Sequence, residues 1–77
     1  MKIAEVTKEI IGKKCKMMWT GMIVNATITR IEENENSVQV WAIFDEGHQW
    51  GNDTWYKAHS FARKSDGWGS LQYLQLV

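Results

Sequence analysis

Residues 22–44, MIVNATITRIEENENSVQVWAIF, carry two apolar alternations joined by a polar, acidic connection. In the first arm, residues 22–31, the side chains of Met22, Val24, Ala26 and Ile28 fall on one side. Ile23, Asn25, Thr27 and Thr29 fall on the other, and the many β-branched residues suit a pleated surface. Ile31 has the opposite parity to Ile28, so burying both requires a twist or a bulge near Arg30. The asparagines of Glu32-Glu33-Asn34-Glu35-Asn36 tolerate turn geometry. The second arm, residues 37–44, sets Val38, Val40, Ala42 and Phe44 against Gln39, Trp41 and Ile43. Together the arms predict an antiparallel β-hairpin. Its second face carries Trp41 and Ile43 where a solvated face would be polar, so a helix, a loop, another subunit or a ligand must cover them.

Upstream, between Lys13 and Trp19, Cys15, Met17 and Trp19 alternate with Lys14, Lys16 and Met18, which predicts a strand broken by Thr20-Gly21. Ile3, Val6 and Ile10 recur at helical spacing before Gly12. That spacing predicts a short helix over residues 4–11, a single turn capped by Thr7 being the alternative. Downstream, residues 45–53 hold Gly47, Gly51 and Asn52 among polar groups and predict an irregular loop around Trp50. Residues 54–61 resume strand character, and Arg63-Lys64-Ser65-Asp66-Gly67 forms a turn before Trp68-Gly69. Residues 70–77 set Leu71, Tyr73 and Gln75 against Gln72, Leu74 and Leu76, predicting a last strand that ties down the C-terminus. Five short strands predict a mainly β fold, either a small strongly bent antiparallel sheet or a five-stranded barrel, with a short N-terminal helix. A chain of 77 residues is too short to subdivide, so residues 1–77 are expected to form one domain.

The order of a basic first strand, Thr20-Gly21, a long bent second strand, a hairpin and a short last strand over residues 13–77 resembles the SH3-like barrels, including Tudor-type and related modules. The resemblance is one of pattern and size. It implies binding of peptides, methylated side chains or nucleic acid through aromatic residues and loops at one rim. On this chain those aromatics are Trp19, Trp41, Phe44, Trp50 or Trp55. An OB-like barrel fits the same strand count, and the two topologies stay open at this stage.

Composition narrows the function classes. Nine Lys+Arg balance nine Asp+Glu, so the whole molecule exerts no net attraction on nucleic acid or anionic lipid. No apolar stretch approaches the roughly 20 residues needed to span a bilayer, and Glu5 and Glu9 interrupt any leader-like segment. With Cys15 as the single cysteine, no internal disulfide forms, and a reducing, cytoplasmic location is expected. Cys15 alternates inward with Met17 and is expected to be a small buried hydrophobe rather than a reactive thiolate. Asp45, Glu46, His48 and Asp53 lie close in sequence to His59, but their spacing fits no metal motif. The six glycines form no phosphate loop. Neither catalysis nor a cofactor is expected.

Two binding classes follow. The favoured one is a protein-binding adaptor, accessory or inhibitor module, of the kind a larger assembly or a mobile genetic element could encode. It engages a protein partner or a second copy of itself through Trp41, Ile43 and Trp50, with Asp45, Glu46 and His48 as a polar rim. The alternative is a nucleic-acid-binding module. It would place Lys13, Lys14, Lys16, Arg30, Arg63 or Lys64 on phosphates and an aromatic ring on a base.

Overall fold

The structure is a computed structural model that describes residues 5–66, 71 and 73–77. Five antiparallel strands form it: β1 (Lys14–Trp19), β2 (Met22–Glu33), β3 (Ser37–Trp50), β4 (Asp53–Arg63) and β5 (Gln75–Leu76). They lie in one open sheet in the order β4-β3-β2-β1-β5. The expected hairpin is present, with Glu33 opposite Val38 and the Asn34 N–H donating to the Ser37 carbonyl at 2.8 Å. Ile28 faces Ala42 while Arg30 faces Trp41, so β2 carries one extra residue between them. That bulge reverses the parity, and both Ile28 and Ile31 reach the core.

The sheet is strongly bent. At about 3.3 Å per residue a straight strand as long as β3 would span roughly 43 Å, yet the longest dimension of the molecule is 37 Å. The bend also brings Trp19 of β1 to within 6.2 Å of Trp55 of β4, although two strands separate β1 from β4 in the sheet. Among the described residues β4 and β5 remain separate edges, so the expected barrel is not seen closed.

The concave face forms the core. Cys15 and Met17 of β1, Ala26, Ile28 and Ile31 of β2, and Val38, Val40, Ala42 and Phe44 of β3 point into it, with only Ala58, Ser60 and Ala62 from β4. Val6, Ile10, Leu71 and Leu74 complete it from outside the sheet.

Three expectations are corrected. Instead of a helix over 4–11, the described residues hold a 3-10 turn at Lys8–Ile10. It follows Thr7, whose side chain makes no capping bond. Ile11 turns extended and Gly12 adopts φ +89°, and so short a segment cannot sustain an α-helix without more turns to spread its nucleation cost. Ala4 lies outside the described residues. The loop expected at 45–53 is instead the continuation of β3 into β4, turning tightly at Gly51-Asn52 with Gly51 at φ +62°. The last strand shrinks to Gln75–Leu76, paired with Lys16 and Cys15. Before it, the Leu74 N–H donates to the Leu71 carbonyl at 3.0 Å, and this tighter turn buries Leu71 and Leu74 at a spacing of three in place of strand alternation. Gly67 of the expected turn, Trp68-Gly69 after it, and Ser70 and Gln72 of the expected last strand lie outside the described residues.

The two spacings have different consequences. Leu71→Ala and Leu74→Ala should each lower unfolding free energy by about 2–5 kcal/mol, whereas Tyr73→Ala, at a half-exposed site, should stay within about 0.5 kcal/mol. Equilibrium denaturation at a constant m-value checks this. Equal losses for Leu71 and Tyr73 would instead restore the alternating strand.

Candidate functional site

The outer face of the sheet answers what covers Trp41. Register sets Arg30 of β2 and His59 of β4 on either side of it. The His59 ring stacks on the indole at 4.6 Å and 16°, and the Arg30 guanidinium lies 4.5 Å from the ring centroid. Glu32 pairs with Arg30, and Gln39 Oε1 lies 2.8 Å from His59 Nε2, so both flanking groups are held in turn. Stacking and cation–π contacts at half-exposed sites contribute about 0.5–1.5 kcal/mol each. Trp41 is thus half-buried by the chain's own side chains, while neighbouring Ile43 stays exposed between Thr27 and Lys57.

Beyond Ile43 the strand pair changes character. Ile43 faces Lys57 and the next pair is His48 with Trp55, so β3 spends five steps where β4 spends two. The three surplus residues form a large bulge. Gly47 sits at its tightest point, where a Cβ would come 2.8 Å from Thr54 Cγ2 and 3.0 Å from Tyr56 Cε1. Asp45, at the start of the bulge, accepts from Lys14 Nζ at 2.8 Å and from Thr27 Oγ1 at 3.2 Å. The lysine hydrogen bond holds its carboxyl below the usual carboxylate range.

His48 does not form a polar rim. It is buried, its ring edge meets Phe44 at 6.0 Å, and Nε2 contacts Thr20 Oγ1. The Thr20 hydroxyl donates its proton to the Trp19 carbonyl at 2.7 Å, so it accepts from an Nε2–H of His48. The surplus residues of the bulge carry His48 to the core side, an outcome that a count along one strand does not reveal.

These contacts join two hairpin tips. The β1–β2 turn at Thr20-Gly21 and the β3–β4 turn at Gly51-Asn52 sit at the same end of the sheet, since β1 and β3 run in the same direction. Met18, Met22, Ile23, Trp50, Trp55 and Tyr56 are all exposed there, Trp50 to 56% and Tyr56 to 62%. Between β2 and the bulge of β3, near these tips, a cleft of about 370 Å³ is lined by residues 23–25 and 45–48. Nearby, Trp19 packs on Phe44 at 6.1 Å, and its buried Nε1–H has no acceptor among the described residues. Of the expected protein-contact residues, the cleft end therefore gathers Asp45, Glu46, His48 and Trp50. Trp41 lies apart from it on the outer face, with Ile43 between them, opposite the Thr27 that bonds Asp45. Met18 and Ile23 were visible in sequence as apolar residues of the wrong parity for the core; Tyr56 and the Arg30–Trp41–His59 stack needed the register.

The six cations of the alternative site do not form one stripe. Lys14 pairs with Asp45, Arg30 with Glu32, and Lys64 with Glu33 at 3.2 Å. Lys13, Lys14 and Lys16 lie at and along β1, whereas Arg63 and Lys64 lie at the far end of β4. His48 and His59 do not meet, one facing Thr20 and the other Trp41 and Gln39. Cys15 is buried, and burial, with Asp45 adding to it, pushes its thiol up to about 11.

A family model described as a domain of unknown function, DUF7258, matches residues 1–76. No curated protein and no solved structure matches the chain.

Gly47→Ala should destabilise the fold by about 1–3 kcal/mol through overpacking, and Thr54→Ala should recover part of that loss by removing Cγ2. Paired denaturation curves measure both, and an unaffected Gly47→Ala would mean that the bulge is not crowded. Cys15 gives a pH signature. Its folded value of about 11 exceeds the ordinary 9.0, so the stability it supports is intact below pH 9 and is lost as pH rises towards 11. Cys15→Ala should flatten that part of the stability–pH profile, and an identical slope in both proteins would refute the assignment.

Proposed function

The chain belongs to the DUF7258 family of domains of unknown function, and from its own surface we propose that it is a non-enzymatic protein-binding module whose contact surface is the end carrying the two hairpin tips. The observation that carries this is the gathering of exposed Met18, Met22, Ile23, Trp50, Trp55 and Tyr56 at one end, with carboxylates of Asp45 and Glu46 beside them. Exposed apolar and aromatic residues concentrated at one end of a small domain mark an interaction site, and Trp and Tyr supply most of the energy at such sites. Trp41 serves the outer face of the monomer, where Arg30 and His59 already use its ring.

The succession of strands supports an SH3-like topology: a four-stranded meander, a 3-10 turn at Lys64–Asp66, and a last strand returning to β1. A free, buried Cys15 fits a reducing, cytoplasmic setting. Among the described residues no helix is long and apolar enough to cross a membrane. The nucleic-acid alternative has less support, because Lys14, Arg30 and Lys64 each face a carboxylate and the cations are dispersed.

Site-specific photo-crosslinking in the native host tests the proposal. With p-benzoylphenylalanine in place of Trp50 or Met22, a protein adduct of defined mass should form, and replacement of Trp41 should yield none. An adduct of twice the chain's mass would identify a second copy as the partner. For that partner, Trp50→Ala should cost about 2 kcal/mol of binding with unchanged melting. Adducts at Trp41 alone, or none at either tip, would defeat the assignment.

A further inference from the structure

A separate concavity lies in the middle of the outer face. It is a cavity of about 220 Å³ lined by Thr29 and Arg30 of β2, residues 41–43 of β3, and Lys57 and Ala58 of β4. Ala42 and Ala58 are buried in the core on the opposite face of the sheet, so they give this cavity their main chain as a floor. Arg30 from β2 and His59 from β4 take the two faces of the Trp41 indole, which leaves a ring edge for the cavity wall. Ile43, 47% exposed, stands one outward position further along β3. Thr29 is the extra residue of the β2 bulge, and its hydroxyl donates to the Trp41 carbonyl at 3.2 Å. The lining therefore carries two cations and no acid. Arg30 already pairs with Glu32, which does not line the cavity, whereas among the described residues Lys57 has no ion-pair partner.

We propose that this cavity binds a small carboxylate with a single-ring apolar body, the ring resting on Ile43 and the carboxylate pairing with Lys57 beside the edge of Trp41. The site goes beyond the protein-contact assignment and does not depend on it. Size, charge and surface each select the ligand. A volume of about 220 Å³ falls below the roughly 300 Å³ where sites for drug-sized molecules begin, so a single ring is the size that fits. One uncompensated cation matches one negative charge, which a carboxylate carries at neutral pH and a phosphate monoester exceeds. The indole edge is the positive end of the ring quadrupole, so Trp41 adds to the attraction of Lys57 for an anion. Ile43 supplies exposed apolar surface for the body of the ligand.

The test is amide-resolved NMR titration of the full chain with phenylacetate, 2-phenylacetamide and acetate. Phenylacetate should bind with a Kd on the order of 1 mM, as expected of a small ligand in an open cavity. It should shift the amides of Arg30, Ile43 and Lys57 and the Trp41 indole. Phenylacetamide keeps the ring and loses the charge, and acetate keeps the charge and loses the ring; each should bind at least about threefold more weakly. Lys57→Gln, a change at an exposed position, should weaken phenylacetate binding about three- to fivefold at unchanged melting, and Lys57→Arg should keep it within about twofold. Equal affinity for phenylacetate and phenylacetamide, or unchanged affinity in Lys57→Gln, would overturn the carboxylate assignment. Acetate binding as tightly as phenylacetate would overturn the apolar body. Shifts confined to Met22, Trp50 and Trp55 would overturn this site and leave the hairpin-tip surface in place. The absence of any saturable shift up to roughly 20 mM ligand would overturn it as well.

Discussion

The structure depends on one geometric constraint: β3, from Ser37 to Trp50, is longer than a straight strand can be in a molecule whose longest dimension is 37 Å. Bending relieves the conflict, and bulges supply the bend because an extra residue on one strand raises its local twist. The extra residue of β2 near Thr29 re-aims Ile31 into the core. The larger bulge of β3 parts that strand from β2 and lets the β3–β4 tip curl until Trp55 touches Trp19. Core closure and the open cleft therefore share a cause. A straight β3 would pair with β2 along its whole length and leave no gap between the tips.

The two aromatic groups of the molecule differ in what surrounds them. Trp41 sits in the middle of the outer face with a cation and an imidazole against it, and its contacts are satisfied within the monomer. Trp50 ends β3 and Tyr56 lies on the edge strand β4, where among the described residues no further strand supplies a cover. Trp19 lies between these cases, packed against Phe44 and Trp55 yet holding a buried indole N–H without an acceptor among the described residues. An unpaired buried donor costs about 1–3 kcal/mol, a cost borne at the end of the molecule where the exposed rings gather.

Local patterns of short period carried far in the sequence. Alternation located β1, the β2–β3 hairpin and most of β4, and the parity conflict between Ile28 and Ile31 located a bulge. Where the determining contact is distant, the sequence misled. Gly47, Gly51 and Asn52 resemble a loop because glycine and asparagine favour turns, but Gly47 is required by the close approach of Thr54 and Tyr56 and only Gly51 turns the chain. Leu71 and Leu74 follow a spacing of three that alternation cannot express. The site was legible in composition and not in assembly. Asp45, Glu46 and Trp50 stand close in sequence and lie at one end of the sheet, whereas Trp41 is separated from them because its cover, Arg30 and His59, comes from strands 11 and 18 residues away in sequence.

Thr20 shows why the tip end holds a defined shape. It occupies the two-residue turn between Trp19 and Met22 at φ +51°, beside Gly21 at φ +78°. This turn class favours Asn-Gly, and a β-branched residue at positive φ is an outlier. Holding a residue in such a region costs about 1–3 kcal/mol and persists only where its surroundings require it. Here the Thr20 hydroxyl accepts from His48 across the gap and donates to Trp19 behind it. Glycine would remove the strain and both hydrogen bonds together. The strained residue thus couples the β1–β2 tip to β3 just beyond the bulge, and fixes the two tips relative to one another.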